Sequence, residues 1–187
     1  MSDASSSDPP FPQRKSHRLP NAVYACTGHE FHFTVCARHQ GEPFRNDKLA
    51  KTVIDSLLWT RNHHRWMLFC YCLMADHLHF ICRLTDEQVR RINAGARGEI
   101  DEGVLDHLGR FKSYTTNQSW KLGFSGKLWQ RSSYDRVFDL EHPFLEVVQY
   151  ILDNPVRKGL VTDWRDWPYS AIVDHWEGDR PVLTIDG

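Results

Sequence analysis

Apolar and polar positions alternate strictly at first: Phe31, Phe33 and Val35 share one face and His32, Thr34 and Cys36 the other, which predicts a strand. Gly41 and Pro43 end it. Asn46 or Asp47 can then cap a helix whose apolar positions Leu49, Val53, Leu57 and Leu58 repeat at helical spacing. The apolar run Met67–Met74 is too short for a buried helix and suits a central strand. Ala75 and Asp76 turn the chain into a second strand, His77–Leu84. Leu78, Phe80, Cys82 and Leu84 point to its core side, and His77, His79, Ile81 and Arg83 to the other. Residues 86–103 are charged and carry three glycines, which predicts an exposed insertion.

A second amphipathic helix is expected over Val104–Lys121, with Val104, Leu108, Phe111 and Thr115 on its packing side. Gly123, Ser125 and Gly126 break it, and Leu128–Val137 reads as a short final strand. A third helix runs from Pro143 to Asp153 and is ended by Pro155. The order is β-α-β-β-α-β, the ferredoxin-like split βαβ arrangement of an α+β protein with an antiparallel sheet. The third helix and a Trp- and Pro-rich tail are added to it. Three segments follow: a flexible arm over 1–22, a main folded domain over 23–154 and a tail over 155–187 packed on that domain.

Composition narrows the class. A chain of 187 residues with 41% apolar and 25% charged residues is one ordinary globular domain. No apolar run approaches the ~20 residues of a membrane span, so no membrane partner is expected. Five cysteines, odd in number and set among apolar residues, read as reduced thiols of a cytoplasmic protein. The net charge of −1 says nothing about nucleic acid, but its distribution does. Residues 107–137 hold six basic side chains and one acidic, a local +5, interleaved with Phe111, Tyr114, Trp120, Phe124, Trp129 and Tyr134. Charge with stacking surface is what a single-stranded nucleic-acid site requires. Arg110, Lys112, Lys127, Arg131 and Arg136 are the candidate phosphate contacts and Trp129 the candidate stacking platform.

His77 and His79, two apart on a strand, leave the same face, a spacing that suits two imidazoles on one divalent ion or a surface pair with no ligand. In the third helix, Phe144, Val147, Val148, Ile151 and Leu152 form the packing stripe. Glu146, Tyr150 and Asn154 stack on the opposite side. A tyrosine turned from its helix's own core is available for chemistry or is an ordinary exposed tyrosine, and the Asn154 amide can join the histidines as a third ligand or simply end the helix.

The segment Met74-Ala75-Asp76-His77-Leu78-His79-Phe80 resembles the histidine motif of the single-tyrosine HUH transposases. The run from Tyr150 through Asn154, Pro155 and Arg157 to Leu160 resembles the nucleophile helix of their REP-associated branch. Leu128–Arg131 before it and Asp166–Ser170 after it match as well, and the likeness spans about residues 22–172. Ala75 stands where the family usually has proline, the insertion at 86–103 is long, and the acidic balance is unusual for such a protein. The resemblance implies a ferredoxin-like endonuclease and strand transferase that cleaves hairpin-forming, single-stranded repeat DNA through a 5′-phosphotyrosine. Tyr150 would be its nucleophile, with Tyr114, four residues before Gln118, and Tyr134, beside Arg131 and Arg136, competing for that role. One Mg²⁺ or Mn²⁺ would be held by His77, His79 and Asn154. Monomer is favoured over homodimer. Two other readings stand beside it: a non-catalytic ferredoxin-like module that binds single strands, and a metal hydrolase that uses water as nucleophile.

Overall fold

In the computed structural model, residues 29–38, 41–64, 66–93, 103–137, 144–177 and 180–182 are described. The arm expected over 1–22 lies outside them. Strand β1 (Phe31–Cys36) buries Phe31, Phe33 and Val35 and leaves His32, Thr34 and Cys36 half-buried on its reverse side. Asn46, rather than Asp47, caps helix α1 (Asp47–His64): its Oδ1 accepts from the Leu49 N–H at 3.0 Å. Strands β2 (Trp66–Leu73) and β3 (His77–Leu84) form an antiparallel hairpin. Helices α2 (Asp86–Asn93) and α3 (Val104–Lys121) lead to β4 (Tyr134–Val137). The chain continues through α4 (Phe144–Leu152), α5 (Asn154–Arg157), β5 (Ser170–Ile172) and a small hairpin of β6 (His175–Glu177) and β7 (Arg180–Val182).

The main sheet runs β4-β1-β3-β2-β5 with every neighbouring pair antiparallel. Its first four strands have the order of the ferredoxin-like fold, in which β3 is inserted between the strands that α1 connects. The fifth comes from beyond residue 155. Ser170, Ala171 and Ile172 pair with Cys72, Tyr71 and Cys70, and the Trp167 indole donates to the Leu73 carbonyl at 3.0 Å. Asp174 fastens this strand: its fully buried carboxylate accepts from the Arg61 guanidinium and, at 2.7 Å, from the Leu68 N–H. No helix among the described residues is long and apolar enough to cross a membrane.

Both faces of the sheet are used. On one, Phe31, Phe33, Val35, Leu78, Phe80 and Cys82 pack under Leu49, Val53 and Leu57 of α1 and Val104, Leu108 and Phe111 of α3. On the other, Val148, Ile151 and Leu152 of α4 cover Met67, Phe69, Cys70, Cys72 and Ile81. This second layer explains why β2 is buried at every position and reads as one apolar run. A bulge helps to seat it. Leu68 faces Cys82 and Cys70 faces Ile81, so Phe69 is the extra residue and turns to α4, where it meets Phe144 edge-on at 5.0 Å.

Three expectations are corrected. The supposed exposed insertion begins with α2, whose Val89 is buried in the main core because an apolar residue in a charged run can still face inward from a helix. The strand expected over 128–137 shortens to Tyr134–Val137, preceded by a single bridge between Trp129 and Ala37. Pro155 does break the third helix, but a further turn, α5, runs over Asn154–Arg157 and is followed by Gly159, whose φ of +66° suits glycine.

Candidate active site

The uncovered half of the second face carries polar rows set by the strand register. Thr34 lies opposite both His79 and Tyr134, and His32 opposite both Ile81 and Arg136. Cys36 lies opposite His77. Helix α4 shelters the Ile81 end of these rows, whereas Tyr134 and Arg136 at the sheet edge are exposed. The rings of His77 and His79 sit edge to face, 4.7 Å between centroids. His77 Nδ1 is held by Asp76 Oδ1 at 2.6 Å; His79 Nδ1 meets Thr34 Oγ1 at 2.9 Å and His32 Nε2 at 3.2 Å. Burial first, then the charges of His32, His77 and Arg157, hold His79 well below the ordinary histidine range. His32 is lowered to about 4 by burial and by Arg136. These imidazoles stay neutral near pH 7.

Helix α4 presents Tyr150, 38% exposed, away from its buried stripe of Val148, Ile151 and Leu152. At its end Pro155 has no N–H to give the Ile151 carbonyl. The buried Asn154 supplies the donor instead, its Nδ2 lying 2.9 Å from that oxygen. Arg157 completes the cluster. It donates through Nη1 to the Tyr150 carbonyl at 2.7 Å and through Nη2 to Asn154 Oδ1 at 2.9 Å, and its guanidinium carbon lies 4.0 Å from the centre of the Tyr150 ring. Its charge also bears on Cys72 and His79.

The residues fit a divalent ion in part. Each of the two histidines has its Nδ1 engaged by an outer partner, the arrangement that orients a metal-binding imidazole through its other nitrogen. Asn154 Oδ1 is already taken by Arg157 and has one lone pair left. Among the described residues, no group of three or more His, Cys, Asp or Glu is placed to hold a metal ion.

The basic window is not one patch, because α3 divides it. Arg110, Tyr114 and Gln118, one turn apart, line a groove of about 810 Å³ against Trp59, His63 and His64 of α1. Lys112, Lys127, Arg131 and the exposed Trp120 line a smaller one of about 320 Å³ on the other flank. Lys112 also ties the following loop to α3, donating to the Gln130 carbonyl at 3.2 Å. Arg136 stands instead on the histidine face, beside His32. Trp129 is a correction. It is 3% exposed, packs against Phe44 and Phe111 and donates to Thr115 Oγ1 at 2.7 Å, so its ring has no face to offer a base. Tyr114 belongs to the α1–α3 layer, across the sheet from His77 and His79.

No family model matches the chain. A Haemophilus influenzae protein named "Putative REP-associated tyrosine transposase" is 24% identical, over 68% of this chain and 76% of its own length. A solved REP-associated tyrosine transposase, bound to a REP hairpin, superposes with a TM-score of 0.59 at 18% identity; the match covers 84% of this chain and 82% of that one. This chain is similar to the REP-associated tyrosine transposases in sequence and in fold. The residues of its site that the sequence did not single out are Arg157, His32, Thr34 and Asp76. His32 and Thr34 were within reach, since alternation on β1 already placed them on its polar side. Arg157 was not: only the break at Pro155 folds it back onto Tyr150.

Proposed function

We propose that the chain is a metal-dependent, single-stranded DNA endonuclease and strand transferase acting on hairpin-forming repeat DNA, with Tyr150 as nucleophile. The observation that carries this reading is the docking of α4 on the sheet face that holds His77 and His79, with Tyr150 exposed on that helix and stacked on Arg157. The relatives in sequence and in fold are transposases, which supports the class of reaction. That the related structure holds a REP hairpin supports hairpin DNA as the partner.

In the proposed step the Tyr150 hydroxyl oxygen attacks a backbone phosphorus and gives up its proton. The bond from phosphorus to the 3′ oxygen breaks, and that oxygen takes a proton to leave as a 3′-OH. The downstream strand stays on Tyr150 through its 5′ phosphate. One phosphate ester replaces another, so attack by a second 3′-OH rejoins DNA without an energy source. His77 and His79, oriented by Asp76 and Thr34, would hold a Mg²⁺ or Mn²⁺ ion with the remaining lone pair of Asn154. Bound there, the ion would draw electron density from the phosphoryl oxygens. Arg136 offers charge to the incoming strand at the open edge, and Lys127 and Arg131 flank a second groove for backbone contacts. A monomer is the proposed unit, since α4 packs on the histidine-bearing face of its own sheet.

An adduct assay tests this. A 3′-labelled hairpin oligonucleotide, incubated with the protein and Mn²⁺ and then denatured, should carry its label with the protein. Tyr150→Phe or a chelator should abolish the transfer. Retained binding without adduct or cleavage would favour the non-catalytic module, and cleavage without adduct would make water the nucleophile.

A further inference from the structure

We propose that Arg157 is the positioning residue of this site: its guanidinium fixes the Tyr150 ring and the Asn154 amide in their working orientation. The inference rests on the reading of Tyr150 as nucleophile. Three contacts converge on one planar group, at 2.7 Å to the Tyr150 carbonyl, 2.9 Å to Asn154 Oδ1 and 4.0 Å to the phenol ring. Each answers a need of the local chain. Pro155 interrupts the hydrogen-bond ladder where α4 ends, and the carbonyls of a helix end require outside donors. Asn154 serves Ile151 and Arg157 serves Tyr150. A cation is also favoured there by the negative end of the helix dipole.

The ring contact goes beyond capping. A tyrosine more than a third exposed is free to change rotamer, and a hydroxyl that must lie in line with a phosphorus cannot be left to wander. The guanidinium plane covers one face of the ring while its two Nη atoms are anchored to main chain and amide, so ring and helix end are held as a unit. Lysine could supply the charge but not this fork, having one nitrogen for three tasks. By gripping Asn154 Oδ1, Arg157 also orients the amide oxygen expected to face the ion. Asp153, Asp163 and Arg165 line a shallow pocket together with Arg157.

The test compares wild type with Arg157→Lys, Arg157→Ala and Tyr150→Phe. In single-turnover adduct formation on a 3′-labelled hairpin oligonucleotide, Arg157→Lys should lose on the order of 100-fold in rate, as expected for a nucleophile displaced by about 1 Å. Its affinity for the oligonucleotide should stay within about threefold, and added guanidinium ion should restore Arg157→Ala where ammonium does not. A readout free of catalysis accompanies this. With 3-fluorotyrosine incorporated, the ¹⁹F resonance missing from Tyr150→Phe belongs to Tyr150. It should move to a solvent-averaged position in Arg157→Lys. A wild-type rate with an unmoved resonance in Arg157→Lys would overturn the proposal alone. An adduct that persists in Tyr150→Phe would overturn the functional reading, and the proposal with it. If Arg157→Ala does not fold, Arg157→Lys decides.

Discussion

Lowering the pH from 7 to 5 should destabilise this fold through histidines that it keeps neutral. His32 is held down to about 4 by burial and then by Arg136. His107 is held down to about 3 by burial and then by His64, Arg110 and His63. His107 is almost fully buried, and its Nδ1 accepts from the Trp66 indole at 2.7 Å, so a proton there would also break that bond. In the unfolded chain both titrate near 6.5. Below that pH the unfolded state binds protons that the folded state refuses. Stability is therefore fully present above about 6.5 and falls as the pH drops toward the folded values. At ~1.4 kcal/mol per pH unit, each histidine costs about 2 kcal/mol at pH 5. The two lie on opposite faces of the sheet with different partners, so their effects add to about 4 kcal/mol. His79, lowered in the same direction, increases the loss.

Against a total of ~5–15 kcal/mol for an ordinary domain, this is a large fraction. Urea denaturation at pH 7 and pH 5 measures it, with His107→Gln as the control that keeps an acceptor for Trp66 but does not titrate. Wild type should lose about 4 kcal/mol or more between the two conditions, and the variant about 2 kcal/mol less than wild type. Equal midpoints at both pH values with an unchanged m-value would refute the reasoning. A His107→Gln protein with undiminished pH dependence would remove His107 from it.

Trp129→Ala should cost ~3–5 kcal/mol of stability by emptying a packed site, without a specific loss of DNA affinity in the folded protein. Trp120→Ala, removing a half-exposed ring beside Lys127 and Arg131, should instead weaken hairpin binding by ~1–3 kcal/mol in fluorescence anisotropy. Asp174→Ala removes the buried carboxylate that Arg61 and the Leu68 N–H share and should cost ~3–5 kcal/mol; a loss below ~1 kcal/mol would show that β5 is not fastened there. Neutralising Lys127 or Arg131 with glutamine should each lower the slope of log affinity against log salt by ~0.7 on a single strand. Unchanged slopes would place the DNA backbone elsewhere.

Periodicity was enough for the first-face core, since strand and helix repeats report directly which side chains are buried. The elements from Phe31 to Leu84, the helix Val104–Lys121 and the stripe of α4 all follow from it. It failed where burial comes from a partner far along the chain. The uniformly buried β2 signals two covered faces, but nothing local says that α4 and β5 cover them. Trp129 and Trp120 are the same residue type nine positions apart in the same basic window. One is core and the other surface because Phe44 and Phe111 close over the first. The histidine pair could be placed on one face from sequence. That its nitrogens are oriented by Asp76 and Thr34 depends on the turn and on the β1–β3 register.

The position of the site follows from how α4 divides the second face of the sheet. A ferredoxin-like sheet with one bare side is a platform for nucleic acid, and full cover would remove it. Here the helix seats on β2 and β3 only, over Ile81 and the cysteines, guided by the Phe69 bulge. That placement leaves Tyr134 and Arg136 exposed at the β4 edge and keeps His32, Thr34 and His79 half-sheltered. In the proposed function, a DNA strand entering at β4 would meet the charge of Arg136 first and then the histidine face. A half-covered sheet can hold a desolvated group and an accessible one on the same side. Burial holds His79 well below the ordinary histidine range, while Tyr150, on the helix that covers that side, stays more than a third exposed.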